Sequence, residues 1–172
     1  MGVLYWITGL SGSGKTTVAR ELHKMLKAKK HNVIFLDGDS LRNVFNSEGL
    51  YTPQDRLKLG LQYSKLCKLL TEQEFDVICA TISLFKECHQ WNRKHIPDYR
   101  EIYLRVPIDI LIKRDSKNIY SRALKKELNY VMGIDISFQE PESPDLIIDN
   151  DSSRDPLFLA RKIYEHFYKI PV

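Results

Sequence analysis

A glycine-rich segment near the start of the chain constrains the fold more than any other feature. The segment, GLSGSGKTT at residues 9–17, follows an apolar run at residues 3–8 and precedes a stretch with helical periodicity. A Gly-x-x-x-x-Gly-Lys-Thr pattern between a strand and a helix predicts a phosphate-binding loop of the Walker A type. In such a loop backbone N–H groups face phosphate oxygens, Lys15 reaches the outer phosphates and the Thr16 hydroxyl coordinates magnesium. A chance glycine-rich turn is the alternative, and the flanking strand and helix disfavour it.

Strand-like and helical runs alternate along the chain. The strand-like runs are residues 3–8, 32–37, 77–83, 101–106 and 146–149. Helical runs include residues 14–29, a segment that begins at Thr52 and Pro53, and residues 155–168. This alternation predicts an α/β fold of three layers, in which helices cover both faces of a five-stranded parallel sheet. The chain has 172 residues without repeats or a linker, so one domain over residues 1–172 is expected.

Residues 115–132 depart from the alternating pattern. They contain Lys117, Arg122, Lys125 and Lys126 with few core-type residues, and the acidic, proline-rich stretch FQEPESPD comes after them. We interpret the segment as a mobile basic lid. A solvated surface helix is the alternative, and composition alone favours it, because charge runs usually cover such helices.

Charge and composition exclude several classes of function. The net charge of +4 suits an anionic small-molecule partner but is too small to indicate a nucleic-acid surface. No run of about 18 apolar residues occurs, so we expect no membrane partner. The N-terminus lacks the features of a signal peptide, which predicts a cytoplasmic location. The three cysteines and five histidines lack the spacing of metal ligands, so no zinc-type site is expected.

Two carboxylates follow the second strand-like run. The stretch FLDGDSLR puts Asp37 and Asp39 at the carboxyl end of that strand, which is the edge where open parallel sheets bind ligands. One carboxylate could orient the waters of a magnesium ion, and the other could accept a hydrogen bond from an attacking hydroxyl. A turn with a helix cap is an equally good interpretation of these residues alone. Arg42, Arg56 and Lys117 could each hold an anion.

Six ordered blocks of this sequence resemble the adenylylsulfate kinase family. The blocks are GLSGSGKTT, LDGDSLR, YTPQDR, ATIS, KRDSKNIYSRA and GIDISFQEPESPDLIID, and together they cover roughly residues 3–150. The resemblance implies a P-loop kinase fold of the nucleotide-kinase type. It also implies transfer of the γ-phosphoryl group of ATP, with Mg²⁺, to the 3′-hydroxyl of a nucleotide whose 5′ end carries a mixed anhydride.

The resemblance also implies roles for individual residues. The residues implied to bind ATP are Gly9, Leu10, Ser11, Gly12, Ser13, Gly14, Lys15, Thr16, Thr17 and, on the adenine side, Arg114. Thr16 and Asp37 would hold the metal, Asp37 through water. The catalytic residues would be Lys15, Asp39 and Ser83. The acceptor would be bound by Asp39, Arg42, Tyr51, Arg56, Leu59, Ile82, Ser83, Lys117 and Val131.

In the family that this sequence resembles, the serine at the position of Ser83 is sometimes described as the site of a phosphoenzyme intermediate. Direct in-line transfer needs only positioning and charge stabilisation, so the reaction does not require a covalent role.

The sequence departs from the family at the expected base-binding wall. Members that act on adenylyl sulfate typically clamp the adenine between two aromatic residues, but here the positions hold Tyr51 and Val131. Stacking on an aromatic ring contributes about 1–3 kcal/mol, so a missing ring should weaken adenine binding. Tyr130 is adjacent, but a one-residue offset should point it elsewhere. In addition, the family's DRxxNxRR reads DRLKLGLQ, which puts Leu59 at the asparagine position and makes the pocket more apolar.

These departures indicate a related acceptor with a different base or 5′ group. Within the family the chain is most similar to a short subgroup linked to capsular polysaccharide assembly, whose acceptor is cytidine diphosphoramidate, and a smaller pyrimidine is compatible with Val131. An adenylyl sulfate acceptor and a non-catalytic ATP-binding regulatory module are the alternatives. The resemblance also suggests a homodimer.

Overall fold

The fold is described from a computed structural model that covers residues 1–115, 117–151 and 154–168. In these residues the strands are β1 (Leu4–Thr8), β2 (Val33–Asp37), β3 (Asp76–Ala80), β4 (Tyr99–Arg105) and β5 (Leu146–Asp149). The helices are α1 (Lys15–Lys27), α2 (Gly38–Val44), α3 (Pro53–Glu72), α4 (Lys86–His95), α5 (Ile108–Arg114), α6 (Ile119–Leu124) and α7 (Pro156–Tyr168).

The strands form one parallel sheet in the order β2-β3-β1-β4-β5. The predicted five-stranded parallel sheet of an α/β fold is therefore confirmed. The chain moves outward from β1 to β2 on one side and later to β4 and β5 on the other. Such a reversal leaves a crevice at the carboxyl end of the central strand, and the glycine-rich segment follows that strand directly.

Strand β3 ends at Ala80, so the prediction that it continues to Ser83 is wrong. Ala80 is the last residue in register with both neighbours, opposite Ile7 of β1 and Asp37 of β2. Because β2 stops at Asp37 and turns into α2, the chain beyond Ala80 has no strand to pair with on that side. Residues 81–83 instead form a loop over the edge of the sheet, where the Thr8 hydroxyl donates to the Ile82 carbonyl at 2.6 Å.

Alternate residues of the central strand enter two different cores. Tyr5 and Ile7 pack with residues of α1 and α7 on one face, whereas Leu4 and Trp6 pack with residues of α3 on the other. All four side chains are fully buried. This period of two is the pattern expected for a strand covered by helices on both sides.

The predicted lid contains α6 and has an apolar core of its own. Tyr120, Ala123, Val131 and Met132 are buried and cluster with Leu10 of the glycine-rich segment. The Tyr120 hydroxyl donates to the Ser11 carbonyl at 2.8 Å, which attaches α6 to that segment directly. The mobility of the lid stays a prediction, and its residue 116 lies outside the described residues.

Two helix starts follow from local chemistry. Helix α1 begins after Gly14, whose φ of 91° is left-handed. Helix α3 begins with a capping box, in which Thr52 and Asp55 each accept from the other's backbone N–H, followed by Pro53 in the first turn. Within the described residues, no helix combines the length and apolar character needed to cross a membrane.

A buried carboxylate joins α4 to the sheet. Glu101 of β4 is 2% exposed, and its two oxygens lie 3.0 Å from His89 Nδ1 and 2.9 Å from Arg93 Nη2. Burial by itself would raise the pKa of the Glu101 carboxyl, but His89 and Arg93 outweigh it and hold the pKa below its ordinary value. Glu101 is therefore ionised in the folded protein and stabilises it through this pairing.

We expect Glu101→Gln to lower the free energy of unfolding at pH 7 by about 3 kcal/mol, because breaking a buried ion pair typically costs about 3–5 kcal/mol. The folded pKa lies below the ordinary value of 4.5. The stabilising effect is thus present above pH 4.5 and lost as the pH falls through the folded pKa, so the difference from the wild type should shrink there. Urea unfolding at a series of pH values measures both effects.

Glu142→Gln provides the matched control. Glu142 pairs with Lys86 at 2.6 Å, but the two side chains are 61% and 46% exposed. Removing this surface charge should change the free energy of unfolding by less than about 1 kcal/mol. Equal effects of the two substitutions, or a Glu101→Gln effect that does not change with pH, would contradict the assignment.

Candidate active site

The glycine-rich segment turns sharply between β1 and α1. A Cβ atom added to Gly9 would lie 2.5 Å from the Leu104 carbonyl oxygen and 2.8 Å from Ser13 Oγ, so only glycine fits. Gly14 supplies the left-handed residue from which α1 starts. The first backbone N–H groups of α1 are therefore presented at the carboxyl end of the sheet, as an anion site requires.

Lys15, the first residue of α1, is folded back against this loop. The residue is 8% exposed, and its Nζ donates to the Leu10 carbonyl at 2.7 Å. Burial, helped by the nearby Lys117, lowers the pKa of Lys15 to about 7. A bound polyphosphate would remove this disadvantage of the charged amine, because an anion at close range favours the protonated form.

Thr16 and Asp37 lie together beside the loop. The Thr16 hydroxyl donates to Asp37 Oδ1 at 2.9 Å. Both side chains line the main cavity. Mg²⁺ prefers oxygen ligands and is usually bound by one or two protein groups together with water and substrate phosphates. This pair of oxygens fits such an ion.

One cavity of about 570 Å³ contains nearly all the residues singled out in the sequence. Of the predicted site residues, only Gly9, Leu10, Ser13 and Arg114 do not line it. The first three form the inner side of the turn. The Arg114 guanidinium donates to the Asn150 carbonyl at 3.0 Å, and the Asn150 amide donates to Ser13, so Arg114 lies behind the loop. Its role beside the adenine stays a prediction.

An arginine–tyrosine cluster, formed by Arg42, Tyr51 and Arg56, lines another part of the cavity. The guanidinium carbons of Arg42 and Arg56 lie 4.7 and 5.3 Å from the centre of the Tyr51 ring. Burial, followed by repulsion from Arg42, lowers the pKa of Arg56. Two like charges held this close are best compensated by an anion, so the cluster suits a phosphate-containing ligand.

The loop that carries Val131 is held against this cluster. The Asp135 carboxylate accepts from the backbone N–H groups of Tyr130 and Val131. The carbonyl of Tyr130, whose φ is 63°, accepts from Arg56 Nη2 at 2.7 Å. Tyr130 also lines the cavity, at a position where its left-handed backbone turns the chain, and the direction of its ring stays a prediction.

Asp39 lies at the start of α2 and contacts the lid. Lys117 Nζ donates to Asp39 Oδ2 at 2.6 Å, and the two side chains are 54% and 74% exposed. This ion pair connects the edge of the sheet with the lid across 78 residues of sequence. The sequence suggested an anion-binding role for Lys117 but not this contact.

Ser83 lies in the loop after β3 and is 7% exposed. Its hydroxyl is 2.9 Å from that of Thr81. A Cβ atom on Gly60 of α3 would be 3.1 Å from Ser83 Oγ, so the helix packs closely on this side chain. The predicted catalytic role of Ser83 stays a prediction.

The structure adds cavity residues that sequence reasoning missed. They include Tyr63, Thr81, Phe85, Leu128, Asn129 and Tyr130. Tyr63 and Phe85 belong to no motif in the sequence, and the packing of α3 and of the loop after β3 places them at the cavity. Arg122 was noted as a lid charge, and it lines the same cavity.

Comparisons with known proteins place this site in a family. A family model described as adenylylsulphate kinase matches residues 1–149. The cytidine diphosphoramidate kinase of Campylobacter jejuni subsp. jejuni serotype O:2 is 44% identical over 147 residues, which cover 86% of this chain and 85% of the relative. The adenylyl-sulfate kinase of Halothermothrix orenii is 37% identical over 150 residues, or 87% and 81% of the two chains.

Solved structures agree with the sequence comparisons. The Mycobacterium tuberculosis APS kinase CysC in complex with AMPPNP and APS superposes with a TM-score of 0.89 at 30% identity, over 97% of this chain and 98% of that one. The family model and these relatives cover most of the chain, including the phosphate loop, Asp39 and the arginine–tyrosine cluster. The chain belongs to the adenylylsulphate kinase family and is a P-loop nucleotide kinase.

Proposed function

We propose that the chain transfers the γ-phosphoryl group of ATP to the 3′-hydroxyl of a nucleotide with an activated 5′ group, and that its favoured acceptor is cytidine diphosphoramidate. One observation carries the proposal. A single cavity of about 570 Å³ is lined both by the phosphate loop and by the arginine–tyrosine cluster, together with Asp39. A cavity of this size with two anion-binding regions suits a donor and an acceptor that both carry phosphate.

The donor is held by the phosphate loop. The N-terminus of α1 and Lys15 bind the β- and γ-phosphates, where the lysine neutralises charge that develops on transfer. The AMPPNP complex of the Mycobacterium relative supports ATP as the donor. Thr16 and Asp37 would hold Mg²⁺, which supplies further neutralisation of the phosphate oxygens when bound.

The acceptor hydroxyl is oriented by Asp39. In the transfer, the bond between the γ-phosphorus and the bridging oxygen of ADP breaks while a bond to the 3′-oxygen forms, and Asp39 accepts the hydroxyl proton. Lys117, which pairs with Asp39 in the structure, exchanges this carboxylate for the transferred phosphate. Arg42 and Arg56 bind the 5′ phosphates of the acceptor.

The choice of base depends on the wall around Val131. Val131 is 4% exposed and lines the cavity where the family's adenylyl sulfate enzymes typically have an aromatic ring. The 44% identical relative, a cytidine diphosphoramidate kinase, supports a pyrimidine acceptor. Tyr130, 45% exposed in the same wall, favours the alternative that adenine stacks in a different pose. Adenylyl sulfate is therefore the second candidate.

Several sequence-based expectations remain part of this proposal. These are a single domain, a homodimer, a cytoplasmic location and contact of Ile82, Ser83 and Leu59 with the acceptor. The non-catalytic alternative is disfavoured, because Lys15, Thr16, Asp37 and Asp39 all line one cavity.

ADP release measured in parallel with cytidine diphosphoramidate and with adenylyl sulfate tests the acceptor. We expect the kcat/KM for the cytidine compound to be at least about tenfold higher, the factor that about 1.4 kcal/mol of differential binding gives. Turnover of adenylyl sulfate alone would replace the favoured acceptor by the second candidate. Tight ATP binding without transfer to either compound would support a binding module instead.

Lys15→Ala should lower kcat by about 10²–10³-fold, because a buried cation that stabilises the transferred phosphoryl group is lost. The matched control is Lys24→Ala on the same helix. Lys24 is 70% exposed and pairs only with Glu21 in the described residues, so its loss should leave kcat within about twofold. Similar kcat values for the two variants would argue against the donor site.

Val131→Phe should raise the kcat/KM ratio of adenylyl sulfate over cytidine diphosphoramidate by about tenfold, because an added ring can stack on adenine. Val44→Phe is the control, since Val44 is 72% exposed and outside the cavity. Melting temperatures of both variants report any packing strain at the buried position. An unchanged acceptor ratio in Val131→Phe would remove Val131 from the base-binding wall.

A further inference from the structure

A buried histidine lies directly behind the acceptor side of the cavity, and the proposed reaction does not use it. His89 of α4 is 7% exposed. Its Nε2 lies 2.9 Å from the Ser83 carbonyl oxygen, and its Nδ1 lies 3.0 Å from Glu101 Oε1. A smaller cavity of about 250 Å³, lined by His89, Arg93 and Glu101, lies on its other side.

Several hydrogen bonds hold the loop behind which His89 lies. The Thr81 N–H donates to the Ile7 carbonyl at 3.0 Å, and the Ile82 carbonyl accepts from Thr8 at 2.6 Å. The Ser83 hydroxyl is paired with that of Thr81 at 2.9 Å. The contact from His89 to the Ser83 carbonyl is the fourth of these hydrogen bonds. Because Thr81, Ile82 and Ser83 all line the main cavity, these contacts set the shape of its wall.

The chemistry of the two neighbours fixes the role of each ring nitrogen. A carbonyl oxygen can only accept, so Nε2 must carry a proton to bind Ser83. The Glu101 carboxylate is also only an acceptor, and its Oε1 lies 3.0 Å from Nδ1. Arg93 occupies the other carboxylate oxygen at 2.9 Å and keeps Glu101 in place. The carboxylate thereby orients the imidazole ring toward the loop.

We propose that His89, oriented by Glu101, is a positioning residue for the acceptor: it holds the Ser83 carbonyl and thereby fixes the loop of residues 81–83 against the acceptor. The role rests on the proposed function, in which this loop contacts the acceptor nucleotide. The donor site has separate supports, since Lys15 and the N-terminus of α1 contact neither His89 nor Glu101 in the described residues. Loss of the His89 contact should therefore affect acceptor binding and leave nucleotide donor binding unchanged.

Two variants of His89 separate positioning from general stability. The amide of Gln in His89→Gln can reach the place of Nε2 and donate to the Ser83 carbonyl, but it leaves Glu101 without its partner at Nδ1. The shorter amide in His89→Asn can occupy the place of Nδ1 and face Glu101, but it cannot reach Ser83. The two substitutions thus each remove one of the two contacts.

The two variants should rank in opposite order for the two measurements: His89→Asn should affect acceptor KM more, and His89→Gln should affect the melting temperature more. His89→Asn should raise the acceptor KM by roughly tenfold, the factor typical for loss of one hydrogen bond, with the Kd of ADP unchanged within about twofold. His89→Gln should keep the acceptor KM within about threefold of the wild type while lowering the melting temperature more than His89→Asn does. Acceptor KM values that follow the melting temperature, or that are the same in both variants, would overturn the proposal.

The experiment uses whichever of cytidine diphosphoramidate and adenylyl sulfate the wild type phosphorylates, so a wrong acceptor does not affect it. If the wild type phosphorylates neither, the proposed function fails. The ¹⁵N NMR signals of the His89 ring in the wild-type protein then decide the inference separately, and they also decide it if a variant does not fold. The expected result is a proton on Nε2 at neutral pH, and an Nε2 without a proton would overturn the proposal.

Discussion

The close approach of Gly9 to the Leu104 carbonyl is the contact on which the rest of the site depends. At that point the chain leaves the central strand, and a side chain at residue 9 would separate the loop from β4. The turn that results directs the N-terminus of α1 toward the carboxyl edge of the sheet. Since all five strands run in the same direction, Asp37 at the end of β2 and the loop after β3 reach the same edge.

More basic than acidic side chains line the cavity, so its own carboxylates only partly offset their positive charge. Arg42 and Arg56 share one tyrosine ring, and burial together with Lys117 lowers the pKa of Lys15 to about 7. Such an arrangement is unfavourable by itself and becomes favourable when phosphate groups enter it. The apolar cores on the two faces of β1 contain fully buried large side chains, and their burial offsets the unfavourable free energy of these close positive charges.

The sequence was sufficient for the sheet and for the position of the phosphate loop between β1 and α1. The spacing of Gly9, Gly14 and Lys15 defines the phosphate loop locally, and the five apolar runs predict the strands because each is short and bounded by polar turns. It could not predict where β3 ends, because that depends on the point at which its neighbour β2 turns into α2. Nor could it predict that Tyr130 lines the cavity, since a left-handed residue held by Asp135 and Arg56 is a product of tertiary contacts. His89 carried no motif at all, and its position is visible only once α4 packs on β4.

The exposed ion pair between Lys117 and Asp39 adds little to the apolar contacts that hold the lid. A pair this open to water contributes only about 0–1 kcal/mol, so it sets a preference and does not lock the segment. In the proposed reaction Asp39 accepts the proton of the acceptor hydroxyl, and this pair would hold its carboxylate until the acceptor binds. The lysine can leave it at little energetic cost once phosphate arrives. Under the proposed function, a contact this weak would let both substrates enter and leave the cavity easily.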